Sequence, residues 1–196
     1  MSIIGVQGPK LYMSSEAPIG GGGGYNPSGI LKPNLQSIIR LRGFPGDFSE
    51  RPKEIKGIAL IDDDPSMGKA LCRVVSSIAR PICGRELQLV SSFDLTAGAR
   101  LDGDKFPIVF ASASNETEAI AGQILATGVN FVISDFNLIG ITGGEITADL
   151  HASGYKGFVV GLTGLANKNM KTFYAAGADL VMEKPFDRDI IASLFA

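Results

Sequence analysis

The stretch IALIDDD (58–64) sets four apolar residues directly before three aspartates, and comparable runs follow at FVISD (131–135), FVVGLT (158–163) and DLVMEK (179–184). Each is short, rich in β-branched or aromatic residues, and closes on a polar side chain. Continuous apolar runs of this length are what parallel strands look like when helices cover both faces of their sheet. Stretches with helical spacing lie between them, so the chain reads as α/β, a doubly wound parallel sheet. The carboxyl ends of such strands open on one crevice, where these folds bind ligands. Asp62, Asp63, Asp135, Thr163 and Lys184 would meet there, three carboxylates with one hydroxyl and one ammonium.

Clustered carboxylates repel one another, and without a positive partner one of them takes up a proton. Oxygen donors free of His and Cys suit a hard divalent cation, Mg²⁺ above all, which commonly holds phosphate oxygens as well. An aspartate can also attack phosphorus and form an aspartyl phosphate. The roles then divide. Asp135 attacks, Asp62 and Asp63 hold the metal, Lys184 neutralises a phosphoryl oxygen and the Thr163 hydroxyl donates to another. Charge neutralisation and alignment are most of what phosphoryl transfer asks of a protein.

Residues 57–196 resemble the receiver domain of two-component response regulators. The segments that carry the resemblance are LIDDDPSMGKAL (60–71), VISDFNLIGITGGEI (132–146), VVGLTG (159–164) and AAGADLVMEKPF (175–186). It implies a flavodoxin-like, five-stranded parallel sheet of order 2-1-3-4-5. It implies Mg²⁺ bound by Asp62, Asp63, Asp135 and the backbone carbonyl of Asn137, and phosphoryl acceptance at Asp135. The donor would be a histidine kinase or a histidine phosphotransfer protein. Thr163 becomes the switch hydroxyl and Lys184 the phosphate-binding lysine, with a cis peptide before Pro185. Such a protein catalyses its own phosphorylation and slow dephosphorylation, and acts by binding a protein or relaying the phosphoryl group. Two departures stand out: Ile139 where the family often has Pro, and Val181 where it has a mobile aromatic, which implies a weaker or differently placed response.

Two other readings compete. Asp62-Asp63-Asp64-Pro65-Ser66 contains DxDxS, the nucleophile pattern of haloacid-dehalogenase-like phosphatases; only Asp187 and Asp189 follow Lys184, so that family's last acidic motif has no counterpart. A pseudo-receiver, a protein-binding module without phosphorylation, is the third class.

With 196 residues, 45% of them hydrophobic, the chain has material for one well-cored domain and an appendage. A net charge of −2 argues against nucleic acid as the main partner. No apolar run reaches 18 residues and no signal-like start is present, so the expectation is a cytoplasmic protein without a membrane partner. Cys72 and Cys83 lack metal-ligand spacing and read as reduced thiols. His151 reads as a surface residue.

Residues 1–54 carry six of the ten prolines and ten of the 25 glycines, including Gly20 to Gly24, and read as a flexible extension. No GK[ST] follows the Gly run, which excludes a phosphate loop. Within the extension, LQSIIRLR (35–42) is the stretch fit for a short amphipathic element. The receiver domain is expected over 55–196, with helices over about 65–79, 118–126, 146–154, 167–177 and 187–196. An insertion of about 81–105 separates the first helix from the second strand, which is assigned to PIVFASAS (107–114). LQLVSSF (87–93) is its rival, or its partner in an edge hairpin.

Overall fold

The computed structural model describes residues 11–13 and 54–196, apart from 92–93, 96, 112–116, 165, 186–187 and 196. In chain order the elements are β1 (Leu11–Met13), β2 (Ile58–Ile61), α1 (Pro65–Cys83), β3 (Leu87–Ser91), β4 (Phe106–Ala111), α2 (Thr117–Thr127), β5 (Phe131–Asp135), α3 (Gly143–Ala152), β6 (Phe158–Thr163), α4 (Ala166–Ala175), β7 (Leu180–Glu183) and α5 (Arg188–Phe195). The strands form one parallel sheet of order β1-β7-β6-β5-β2-β4-β3. This is the flavodoxin-like class. Its central five strands, β4-β2-β5-β6-β7, follow the order 2-1-3-4-5.

The apolar runs alternate between two cores because successive side chains leave a strand on opposite faces. Ile58 and Leu60 of β2 join α1 and α5 through Leu71, Val75, Ile78, Ile191 and Leu194. Ala59 and Ile61 join α2, α3 and α4 through Ile120, Ile124, Ile146, Leu150 and Phe173. All four β2 residues are fully buried, which explains why the sequence shows an unbroken apolar run.

Two expectations need correction. The sheet has more than five strands: β2 to β7 make six, and β1 adds a seventh at the β7 edge. The segment read as an insertion holds β3, which lies outside β4 and runs parallel to it, Leu89 opposite Ile108, so the two do not form a hairpin. A parallel pair needs a crossover and not a tight turn, and the length of chain between Ser91 and Phe106 allows one. PIVFASAS and LQLVSSF are therefore both strands. The Gln88 side chain secures the crossover, donating to the Arg100 carbonyl at 3.1 Å and accepting from the Asp102 amide at 2.8 Å.

Helix limits moved for local reasons. Helix α1 runs past Ala79 and through Pro81 to Cys83, closing on Gly84 at φ 62°, a left-handed conformation that suits glycine. Its start is fixed by Asp64, whose carboxylate accepts from the Ser66 and Met67 amides, with Pro65 in the first turn. Helix α3 starts three residues before the expected 146, because Thr142 and Glu145 close a capping box. The extension 1–54, LQSIIRLR included, lies outside the described residues except for Leu11–Met13 and Glu54. No helix among the described residues is long and apolar enough to cross a membrane.

Candidate functional site

Strands β2, β5, β6 and β7 end at one edge of the sheet. Register sets Ile61 opposite Ser134, Asp135 opposite Leu162, and Thr163 opposite Glu183. The aspartates that close β2 and β5 are thereby brought together. One oxygen from each of Asp62, Asp63 and Asp135 lies within 4.8 Å of the others. Oxygens on opposite sides of an octahedral Mg²⁺ sit about 4.2 Å apart, so this donor set fits that ion with small adjustments. Ca²⁺ would call for more oxygens at longer range.

Each carboxylate is held differently. Asp62 is 2% exposed; its Oδ1 accepts from the Asp64 amide at 2.9 Å and its Oδ2 faces the Lys184 ammonium at 3.6 Å. Asp135 is 6% exposed, and its Oδ1 takes both the Phe136 amide at 2.7 Å and Lys184 Nζ at 3.0 Å. Two donors on one oxygen fix the carboxylate plane and leave Oδ2 oriented. Lys184 itself follows β7, where its amide bonds the Thr163 carbonyl at 2.8 Å, and the Lys184–Pro185 peptide is cis, as expected. Phe186 lies outside the described residues.

The wall beside Asp135 rests on Gly143. A Cβ there would stand 2.1 Å from the Asp135 carbonyl oxygen, 2.7 Å from the Phe173 ring and 2.8 Å from Ser134 Oγ. The Gly143 amide donates to the Phe136 carbonyl at 2.9 Å, and Asn137 pairs antiparallel with Thr142, closing loop 137–142 next to Asp135. Asn137 is thus at the site's rim. Ile139, at the loop's tip, is 67% exposed. Thr163 closes β6 as expected but is fully buried, and its hydroxyl accepts from Asn169 Nδ2 of α4 at 3.1 Å. Nothing in the local sequence pointed to Asn169. The Thr142–Glu145 pair, by contrast, carried the T-x-x-E signal of a capping box in plain view.

Burial pushes the Asp62 carboxyl above its ordinary value; the Asp64 amide and Lys184 pull it down, while Asp135 and Asp63 add to the rise. A carboxyl with a raised folded-state pKa binds its proton more tightly when folded, so stability falls as pH rises from the unfolded value through the folded one. Above that range the metal-free protein bears the whole of that cost. Asp62→Asn keeps the Oδ1 acceptor without the charge and should raise the metal-free melting temperature at pH 7 by about 2–4 °C, the response to about 1 kcal/mol. The gain should shrink toward pH 4. A scanning-calorimetry series in which Asp62→Asn melts lower than the parent at pH 7 would reverse this assignment.

His151 is half-buried at the end of α3, its Nε2 3.1 Å from the Gly177 carbonyl, so it braces the turn before β7 and is not a free surface residue. Cys72 and Cys83 are both free thiols.

Among solved structures the chain is similar to a DNA-binding response regulator of the LuxR family from Staphylococcus aureus, with TM-score 0.51 and 13% identity over 71% of this chain and 95% of that one. It is also similar to the signal receiver domain of an HD domain-containing protein from Pseudomonas fluorescens Pf-5, with TM-score 0.50 and 21% identity over 74% and 91%. The fold is that of a response-regulator receiver domain. No family model matches the chain, and no curated protein does. The receiver fold accounts for β2 and β4 to β7 with their helices; β1 and β3 are additions at its two edges.

Proposed function

We propose that residues 55–196 are a phosphoryl-accepting receiver domain and that residues 1–54 are an arm attached to it. The observation that carries the reading is the convergence of Asp62, Asp63, Asp135 and Lys184 within one cluster at the carboxyl edge of the sheet. Asp62, Asp63 and Asp135 would hold Mg²⁺, with Asn137 at the rim to add its carbonyl. The ion supplies positive charge for the phosphoryl oxygens and a template for their alignment.

Asp135 acts as nucleophile toward the phosphohistidine of a histidine kinase or histidine phosphotransfer protein. A carboxylate oxygen forms the new O–P bond, the P–N bond breaks, and the imidazole leaves with a proton. The Phe136 amide and Lys184 hold the carboxylate in one orientation, which serves proximity. Lys184 then has a phosphoryl oxygen to neutralise. Any shift of Thr163 toward that group would disturb the buried hydrogen bond its hydroxyl accepts from Asn169, which gives α4 a share in the switch. Output would follow through protein binding or onward transfer.

A nucleophilic Asp62, as in the phosphatase reading, has less support. Both its oxygens are engaged, and Asp64, the second carboxylate of DxDxS, caps α1. The pseudo-receiver reading loses ground for the opposite reason, since every acidic and basic group of the set is in place.

Incubation with acetyl phosphate and Mg²⁺ should add one phosphate, mapped to Asp135 by mass spectrometry and lost in Asp135→Asn. Label on Asp62 that survives in Asp135→Asn would favour the phosphatase, and no uptake with intact Mg²⁺ binding would favour the pseudo-receiver.

A further inference from the structure

We propose that the outer edge of β7 is a strand-docking site whose resident ligand is the chain's own segment Leu11–Met13, and that Tyr174 of α4 shares the backbone group on which that strand is held. The segment pairs parallel with β7, Leu11 opposite Leu180, Tyr12 opposite Val181 and Met13 opposite Met182. In a parallel ladder the residues of a strand turn their amide and carbonyl alternately to the two sides. Lys184 turns its amide to β6, bonding the Thr163 carbonyl, so Val181, an odd number of residues away, turns its own outward. Leu11 and Met13 flank the residue opposite Val181, and their backbone meets those outward groups.

The same Val181 amide donates to the Tyr174 hydroxyl at 3.3 Å. Two acceptors therefore address one N–H: the backbone of β1 and a phenol from the helix beside it. This bears on the liability of open sheets. An unpaired edge strand recruits other chains, and proteins cover such edges. Here the cover has three residues, few ladder bonds and a tether of residues 14–53 rich in Gly and Pro. Such a strand is held mainly by being tied to the domain, and it can leave. When it leaves, the Tyr174 hydroxyl is already placed to keep the Val181 amide from being orphaned. The edge then stands open to another extended apolar segment by strand addition. The arm is accordingly an intramolecular occupant of an interaction surface, which goes beyond the phosphoacceptor reading and does not depend on it.

Hydrogen exchange on the full chain, read residue by residue, tests this. In the parent the Met13 amide should exchange at least roughly tenfold more slowly than in an unstructured chain of the same sequence. Leu11→Pro removes a backbone donor that faces β7 and should bring the Met13 amide to the unstructured rate while leaving β5 and β6 protected. Tyr174→Phe keeps the ring and deletes the competing oxygen, so protection of Met13 should rise. A Met13 amide that exchanges freely in the parent overturns the docking, and a Tyr174→Phe protein of unchanged melting temperature with unchanged Met13 protection overturns the sharing. Sedimentation velocity across a concentration series identifies the donor. A monomer supports the chain's own arm, whereas protection that grows together with a dimer assigns the strand to a second copy and overturns the intramolecular claim.

Discussion

Gly143→Ala should lower the melting temperature by roughly 6–12 °C and, in the protein that remains folded, greatly reduce metal binding. Overpacking in a close-packed interior costs about 1–3 kcal/mol and at times more, and the upper figure applies here. The added methyl would meet the Asp135 carbonyl oxygen at 2.1 Å, a backbone atom of the central strand that cannot rotate away. Phe173 and Ser134 block the other directions at 2.7 and 2.8 Å. About 3 kcal/mol in a chain of this size corresponds to roughly 6–12 °C. The relief open to the protein is to push α3 away from β5, which pulls on the Gly143 amide's bond to Phe136 and so on the residue that orients the Asp135 carboxylate. Thermal melting of Gly143→Ala beside Gly140→Ala separates this cause from the general cost of losing glycine, since Gly140 is exposed and owes its place to a φ of 81°, so that its substitution strains the loop's backbone. Equal melting temperatures for the parent and Gly143→Ala would show that α3 yields without effort.

That glycine marks the boundary of what the sequence made legible. Strands β2, β5, β6 and β7 could be read because burial on both faces forces continuous apolar runs, and the site because each run ends on its polar residue. Asp62, Asp63, Asp135 and Lys184 accordingly stand where chain order put them. Strands β3 and β4 could not be ranked, because LQLVS and FPIVFA carry the same local signal. Only the long-range pairing of Ile58 with Ile108 puts β4 inside and β3 at the edge. β1 was illegible for another reason. Three residues show no period, and their place depends on an edge formed 169 residues later. The hold of Asn169 on Thr163 is likewise a product of how α4 docks on β6, a tertiary fact with no local trace. Tertiary contacts decide such matters, as they override propensity in general.

Lys184→Ala should slow phosphorylation from acetyl phosphate by about 10²–10³-fold, the loss that follows removal of one positioned donor from a developing charge. Its effect on Mg²⁺ should run the other way. In the resting protein Lys184 is the counter-ion of Asp135 and Asp62, at 3.0 and 3.6 Å, and it occupies part of the negative field that a metal would use. Without it the three carboxylates face one another with no cation, and a divalent ion gains all of the relief. Binding of Mg²⁺ at pH 7 should therefore be at least as tight in Lys184→Ala as in the parent, while the transfer rate falls. That opposition is the signature of a group whose charge counts more in the transition state than in the resting site. Lys184→Arg restores a cation but with a planar fork in place of a compact ammonium, and it should recover part of the rate only. Titration calorimetry and labelling kinetics on the same preparations give both quantities. If Lys184→Ala loses Mg²⁺ affinity and rate together, Lys184 is holding the site's shape and not neutralising phosphoryl oxygens, and its proposed role falls.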